Sequence, residues 1–197
     1  MSSLLDMLTS QIGGGVMQQI AGKIGADEGT TSKALSAAMP LLMSALAKNA
    51  SNPQGAQALH SALSKDHDGG ILDDVLGFLG NSGAANGAGI LKHVLGGQQA
   101  TVQQGISKAS GLDANAVGQL LQIAAPLVMG ALGKTTAQQG LNANTLAQFL
   151  GGQQQAMQSN PQASGVMGLV GSLLDQNNDG NVLDDVARLA GKFLGGR

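Results

Sequence analysis

The 197-residue chain contains no cysteine, no tryptophan and no tyrosine. Without cysteine there is no disulfide, no thiolate metal ligand and no cysteine nucleophile, and the redox compartment is left open. Phe78, Phe149 and Phe193 are its aromatic residues. The core must therefore come from Leu, Ile, Val, Met and Ala, small enough to let helices approach closely. The same scarcity removes the stacking platforms that single-stranded nucleic acid requires. Charged residues make up 11% of the chain, against ~25% in typical soluble domains. The net charge is −2 with no basic block, which argues against nucleic acid, because phosphate neutralisation needs clustered Lys and Arg. Little charge also means little repulsion between copies, so association with itself or another protein, as a homo-oligomer, is expected. No run approaches the ~18 apolar residues of a membrane-spanning segment. The start, Met1 to Asp6, lacks the basic n-region and apolar core of a secretory signal. The cytoplasm is the default location, with export without a cleaved signal left open.

What the chain does have is 43% apolar residues, 31 glycines and an internal repeat. Ala38-Met39-Pro40-Leu41-Leu42-Met43-Ser44-Ala45-Leu46-Ala47-Lys48 aligns with Ala124-Ala125-Pro126-Leu127-Val128-Met129-Gly130-Ala131-Leu132-Gly133-Lys134 at an offset of 86 residues. The same offset matches Val16 with Val102, Ile20 with Ile106, Gly25 with Gly111 and Asp27 with Asp113. A later block, Asp68-Gly69 with Ile71 to Val75, matches Asp179-Gly180 with Val182 to Val186 at an offset of 111. The second copy therefore carries 25 extra residues, much of them in the Gln- and Gly-rich stretch 151–165. This predicts a first repeat over 1–80, a Gly/Ala/Asn linker over 81–88 and a second repeat over 89–197.

Periodicity makes each repeat all-helical. A first helix is predicted over 2–23, weakened at Gly13-Gly14-Gly15, and its counterpart over 89–109. Gly25 and Gly111 suit helix ends, and Asp27 and Asp113 suit the N-caps of the next helices. In the second copy Val117, Leu120, Leu121, Ala124, Leu127, Val128 and Ala131 recur at helical spacing. Pro40 and Pro126 lie inside these central helices and predict a kink. Shorter helices are predicted over 53–64, 71–79, 143–150, 162–174 and 182–194, with no period-two pattern that would make a sheet.

Two Asp-Gly loops are the candidate chemistry. In Asp175-Gln176-Asn177-Asn178-Asp179-Gly180-Asn181-Val182 the oxygen donors Asp175, Asn177 and Asp179 are followed by Gly180 and an apolar Val182. That is how a calcium loop of the EF-hand type begins, with the backbone carbonyl of Asn181 as a further donor. The closing acid is displaced, since Val186 stands where Glu or Asp belongs and Asp185 lies one residue early. The first-copy loop offers Asp66, Asp68 and the late acid Asp74, with Ser64 in place of the first acid. Without metal, both loops read as turns into helices whose acids favour the helix N-terminus. His60 and His67 could also share a transition metal, although solvated histidines account for them as well.

Catalytic signatures fail one by one. Gly133-Lys134-Thr135 resembles the tail of a phosphate loop but lacks its leading Gly, Val128 standing there, and follows no strand. Gly87-Ala88-Gly89 lacks the third Gly of a dinucleotide fingerprint. The paired acids at 73–74 and 184–185 are adjacent and point to different faces. Met43 and Met129 hold matching positions and read as core.

At Ile90-Leu91-Lys92-His93-Val94-Leu95-Gly96-Gly97-Gln98, Gly111-Leu112-Asp113, Pro126 to Gly133 and Asp179-Gly180-Asn181-Val182-Leu183-Asp184-Asp185, the chain resembles the YidB-like family of bacterial proteins of unknown function. The resemblance implies a helical fold and a bacterial source, and brings no catalytic residues. The expected function is that of a non-enzymatic structural or interaction protein, self-associating through small-residue helix faces. The alternative is a calcium-responsive helical binding module built on the Asp-Gly loops.

Overall fold

The computed structural model describes residues 13–80 and 86–158. The elements are α1 (Gly14–Ile24), α2 (Glu28–Asn49), α3 (Pro53–Asp66), a 3-10 turn (Gly70–Leu72), α4 (Val75–Gly80), α5 (Gly87–Leu95), a second 3-10 turn (Gly96–Gln98), α6 (Gln99–Ser110), α7 (Ala114–Gln139) and α8 (Ala143–Gln158). Among the described residues there is no strand. The helices predicted over 162–174 and 182–194, the rest of the insertion, and residues 1–12 lie outside the described residues.

Local sequence explains the boundaries. Gly25 (φ 69°) and Gly111 (φ 84°) end α1 and α6 in the left-handed region, where a side chain would be strained. Asp27 then caps α2 by accepting from the Thr30 amide at 2.9 Å. Asp113 caps α7 by accepting from the Asn115 and Ala116 amides at 2.8 and 3.1 Å. Each cap satisfies amides that the first turn of a helix leaves unpaired. Asn52 does the same for α3, with Pro53 in its first turn.

Three boundaries differ from the sequence reading. The helix predicted over 89–109 is two helices, broken at Gly96, whose backbone (φ 52°, ψ −130°) no helix accommodates. Gly87 and Ala88, read as linker, already belong to α5, where Gly87 lies so close to the Gln122 carbonyl that an added Cβ would strike it. The described part of the Gln- and Gly-rich stretch continues α8 as far as Gln158.

α2 and α7 form the centre, each running through its internal proline. Elements from one half of the chain lie on the long helix of the other: α6 and α8 pack on α2, while α1 and α3 pack on α7, and α3 meets α8. One hydrophobic cluster therefore spans both halves, with Ile20, Leu42, Leu63, Leu91, Ile106, Leu120 and Leu127 among its fully buried side chains. Each such side chain contributes ~1.5–3 kcal/mol by leaving water. Met43 and Met129 are buried in it, as expected of core positions. α7 is long and apolar enough to cross a membrane, yet 89% of its most apolar stretch is buried inside the fold. It is the core helix of this packing.

Candidate binding cleft

A cleft of about 560 Å³ opens between α3 and α5. Its apolar lining comes from Leu46 of α2, Ala58, Leu59 and Ala62 of α3, Ile90 and Val94 of α5, and Met129 of α7. Asn49, Asn52, Asp66, His67, Asn86 and His93 supply its polar lining. The volume lies within the ~300–1,000 Å³ usual for ligand pockets, and an apolar lining with a few polar groups is their usual chemistry.

The cleft is held open by particular contacts. Asn49, at the end of α2, donates its Nδ2 to the Val94 carbonyl at 3.0 Å and tethers the end of α5. Asn52 Oδ1 accepts from the Gly55 amide at 2.7 Å and starts α3 beside it. Gly55 is required there, because a Cβ would collide with the Asn49 carbonyl oxygen. On α5, His93 Nδ1 lies 2.9 Å from the Gly89 carbonyl.

His67 ends α3 and also borders a smaller pocket of about 290 Å³, lined by Asp66, Asp68, Gly69, Ile71, Phe78, Asn86 and Pro126. The imidazole is half-buried. Burial holds it below the ordinary histidine value, against the opposing pull of the Asp66 carboxylate. It is thus a neutral group at neutral pH. Its carbonyl sits over Gly133 of α7, where any Cβ would strike it. Behind it, Gly69 (φ 106°) lies over Lys134 and the Gly130 carbonyl. Lys134 reaches back to Asp73 with Nζ 2.9 Å from the carboxylate. The loop after α3 is thereby seated on the glycine face of α7.

The sequence-predicted site residues distribute as follows. Asp66 lies on both pockets and Asp68 on the smaller one. Asp68 accepts from the Gly70 amide at 3.0 Å, and Asp74 caps α4 by accepting from the Gly77 amide at 2.7 Å. Among the described residues no three His, Asp or Glu side chains gather as a group that could hold a metal ion. His60 lies 3.0 Å from the Leu141 carbonyl, engaged with the α7–α8 turn. Asp175, Asn177, Asp179, Asn181 and Asp185 lie outside the described residues. Gly133-Lys134-Thr135 is helical and interior to α7, with Thr135 Oγ1 donating to the Ala131 carbonyl at 2.9 Å. The cleft itself was not visible in the sequence. Nothing in the sequence singled out Asn49 or Asn52, and nothing marked α3 and α5 as neighbours.

No curated protein and no solved structure matches the chain. A family model described as "Bacterial protein of unknown function (DUF937)" matches residues 6–135, consistent with the YidB-like resemblance. The match spans α1 to α7 but for the last residues of α7, and so takes in the whole lining of the cleft. The chain belongs to this family of bacterial proteins of unknown function.

Proposed function

We propose that this is a non-enzymatic interaction protein of the bacterial cytoplasm, which takes an apolar segment of a second protein chain, first of all another copy of itself, into the cleft between α3 and α5. The observation that carries this reading is the cleft's character, an apolar lining from four helices with carboxamide and imidazole groups on it. Helical segments dock in such grooves through a few apolar anchors, while polar groups fix their orientation. Small-residue faces are a poorer candidate for the contact surface than they were from sequence. Gly55, Gly87, Gly130 and Gly133 are already approached closely inside the fold. Ala58 is an exposed helix position on the cleft, so Ala58→Glu places a charge there without touching the core. Sedimentation of the full chain is expected to show association that this variant abolishes. A monomer at every concentration would retire self-association.

The architecture is read as a tandem pair of one unit, with the proline bend part of its shape. Support comes from matched positions in matched environments. Val16 and Val102 are both 8% exposed and Ile20 and Ile106 both fully buried. Asp27 and Asp113 cap matching helices, after Gly25 and Gly111 have ended the preceding ones.

Calcium binding is the second reading. It is favoured by Asp66 and Asp68 lining one pocket and by the oxygen spacing of Asp175, Asn177 and Asp179. On that reading calcium raises the melting temperature of the full chain, since a ligand of the folded state must stabilise it, and Asp179→Ala removes the rise. An unchanged melt in millimolar calcium would retire it.

A further inference from the structure

The cleft between α3 and α5 has unequal ends. At one, Asn49 and Asn52 stand with His93 of α5; at the other, Asp66 and His67 close α3 beside Asn86. The second end adjoins the smaller pocket, which shares Asp66, His67 and Asn86 and adds Asp68 and the apolar walls Ile71, Phe78 and Pro126. No Lys or Arg lines either space.

The hydrogen-bonding groups left over on the cleft are mostly acceptors. Asn49 commits its Nδ2 to the Val94 carbonyl at 3.0 Å and keeps its Oδ1. His93 Nδ1 lies 2.9 Å from the Gly89 carbonyl, which can only accept, so in the neutral ring the proton is on Nδ1 and Nε2 presents a lone pair. Asp68 accepts from the Gly70 amide with one oxygen and keeps the other. Asp66 has no hydrogen bond or ion pair among the described residues. The half-buried His67 ring, neutral at neutral pH, adds no opposing charge. An occupant that matches these groups brings donors and, at the His67 end, a positive charge.

We propose that the segment taken into the cleft is basic, an apolar stretch whose lysine or arginine lays its stem along Ile71, Phe78 and Pro126 and sets its cationic head against Asp66 and Asp68. The inference rests on the reading of the cleft as a docking site for a second protein chain. A basic side chain has the required two parts, an apolar stem and a head that only donates. The aromatic wall favours a cation further. A metal ion fits the pocket less well. Calcium takes about six to eight oxygens, whereas among the described residues no three His, Asp or Glu side chains gather, and much of this wall is apolar. Another copy of the chain has cations to offer, since Lys23, Lys33, Lys48, Lys65, Lys92 and Lys108 are all exposed.

Octylamine, 1-octanol and octanoate carry one apolar chain under three head groups, so comparing them isolates the charge. Each is titrated into the protein labelled at its methionine methyls, and the resonance of Met129, which lines the cleft, reports occupancy. The amine is expected to bind about fivefold tighter than the alcohol, the upper end for an exposed ion pair, and octanoate weakest. Asp66→Asn with Asp68→Asn keeps an acceptor for the Gly70 amide and should bring amine and alcohol together. Glu28→Gln, an exposed acid at the start of α2, should leave the preference intact. Equal binding of amine and alcohol by the parent overturns the inference and leaves the cleft an apolar docking site. No shift of Met129 with any of the three overturns the docking site as well. Sedimentation then reads the source of the cation. The double Asn variant should weaken association about fivefold and Glu28→Gln should not. Association indifferent to the double variant, or a parent that stays monomeric while octylamine still binds through the two acids, makes a free amine the occupant and overturns the basic segment. Ala58→Glu remains a separate reading, because Ala58 lies two turns of α3, about 12 Å, from Asp66 and faces the apolar part of the segment.

Discussion

Gly133→Ala is the most informative single change in the described core. Alanine is the better helix former by ~1 kcal/mol, so propensity alone favours the variant. The structure opposes it. The new Cβ would run into the His67 carbonyl oxygen and carbon, with the Asp68 Cα at 3.4 Å. Both sides of the collision are backbone, one in the most buried helix of the fold and the other in a loop pinned by the Asp73–Lys134 pair. No side chain can swing aside, so the overpacking cost falls at the upper end of its usual range, about 3 kcal/mol. The net loss is then about 2 kcal/mol. In a domain of this size that lowers the melting temperature by roughly 4–8 °C. Thermal and urea unfolding followed by circular dichroism at matched pH read it. A variant as stable as the parent, or more stable, would refute the close seating of the loop on α7.

Gly22 supplies the contrast: it is exposed inside α1 with nothing near its would-be Cβ, so Gly22→Ala is expected to raise stability by up to ~1 kcal/mol in the same melts. Asp113→Ala removes the cap of α7 and is expected to cost ~1 kcal/mol, with Asp113→Asn costing much less. His67 has a folded-state affinity for protons below that of the unfolded chain. Its contribution is therefore fully present above the unfolded value near 6.5 and declines as pH falls from there toward the folded value. His67→Gln should flatten stability over that window. Asp27, held below the ordinary carboxylate value by hydrogen bonds from Thr30, contributes above the unfolded value and loses this as pH falls through its folded one. Asp27→Asn should flatten the acid limb of the same titration.

The helices were legible wherever a local rule decided them. Asp27 and Asp113 as caps, Gly25 and Gly111 as helix ends, and the buried stripe of α7 all follow from residues within one or two turns. The break at Gly96 was harder, because a glycine pair permits a break without requiring one. The triplet Gly13-Gly14-Gly15 looked the weaker point, yet Gly14 and Gly15 are helical. What no local rule could supply was the exchange between halves. The Asn49–Val94 tether joins residues 45 apart in sequence, and Gly133 meets His67 only because the loop of one half lands on the helix of the other. In the sequence, Gly130 and Gly133 stand out only as members of the repeated central-helix block. In the fold they are seats for the chain itself. The cleft was hidden for the same reason, since its walls α3 and α5 come from different halves.

If the cleft between α3 and α5 receives another protein chain, sedimentation velocity of the protein over a wide concentration range shows it. The expected result is reversible association of the parent and a monomer for Ala58→Glu, with unchanged helicity. Association that persists undiminished in Ala58→Glu would rule out the cleft as the contact, and a parent that stays monomeric throughout would rule out self-association.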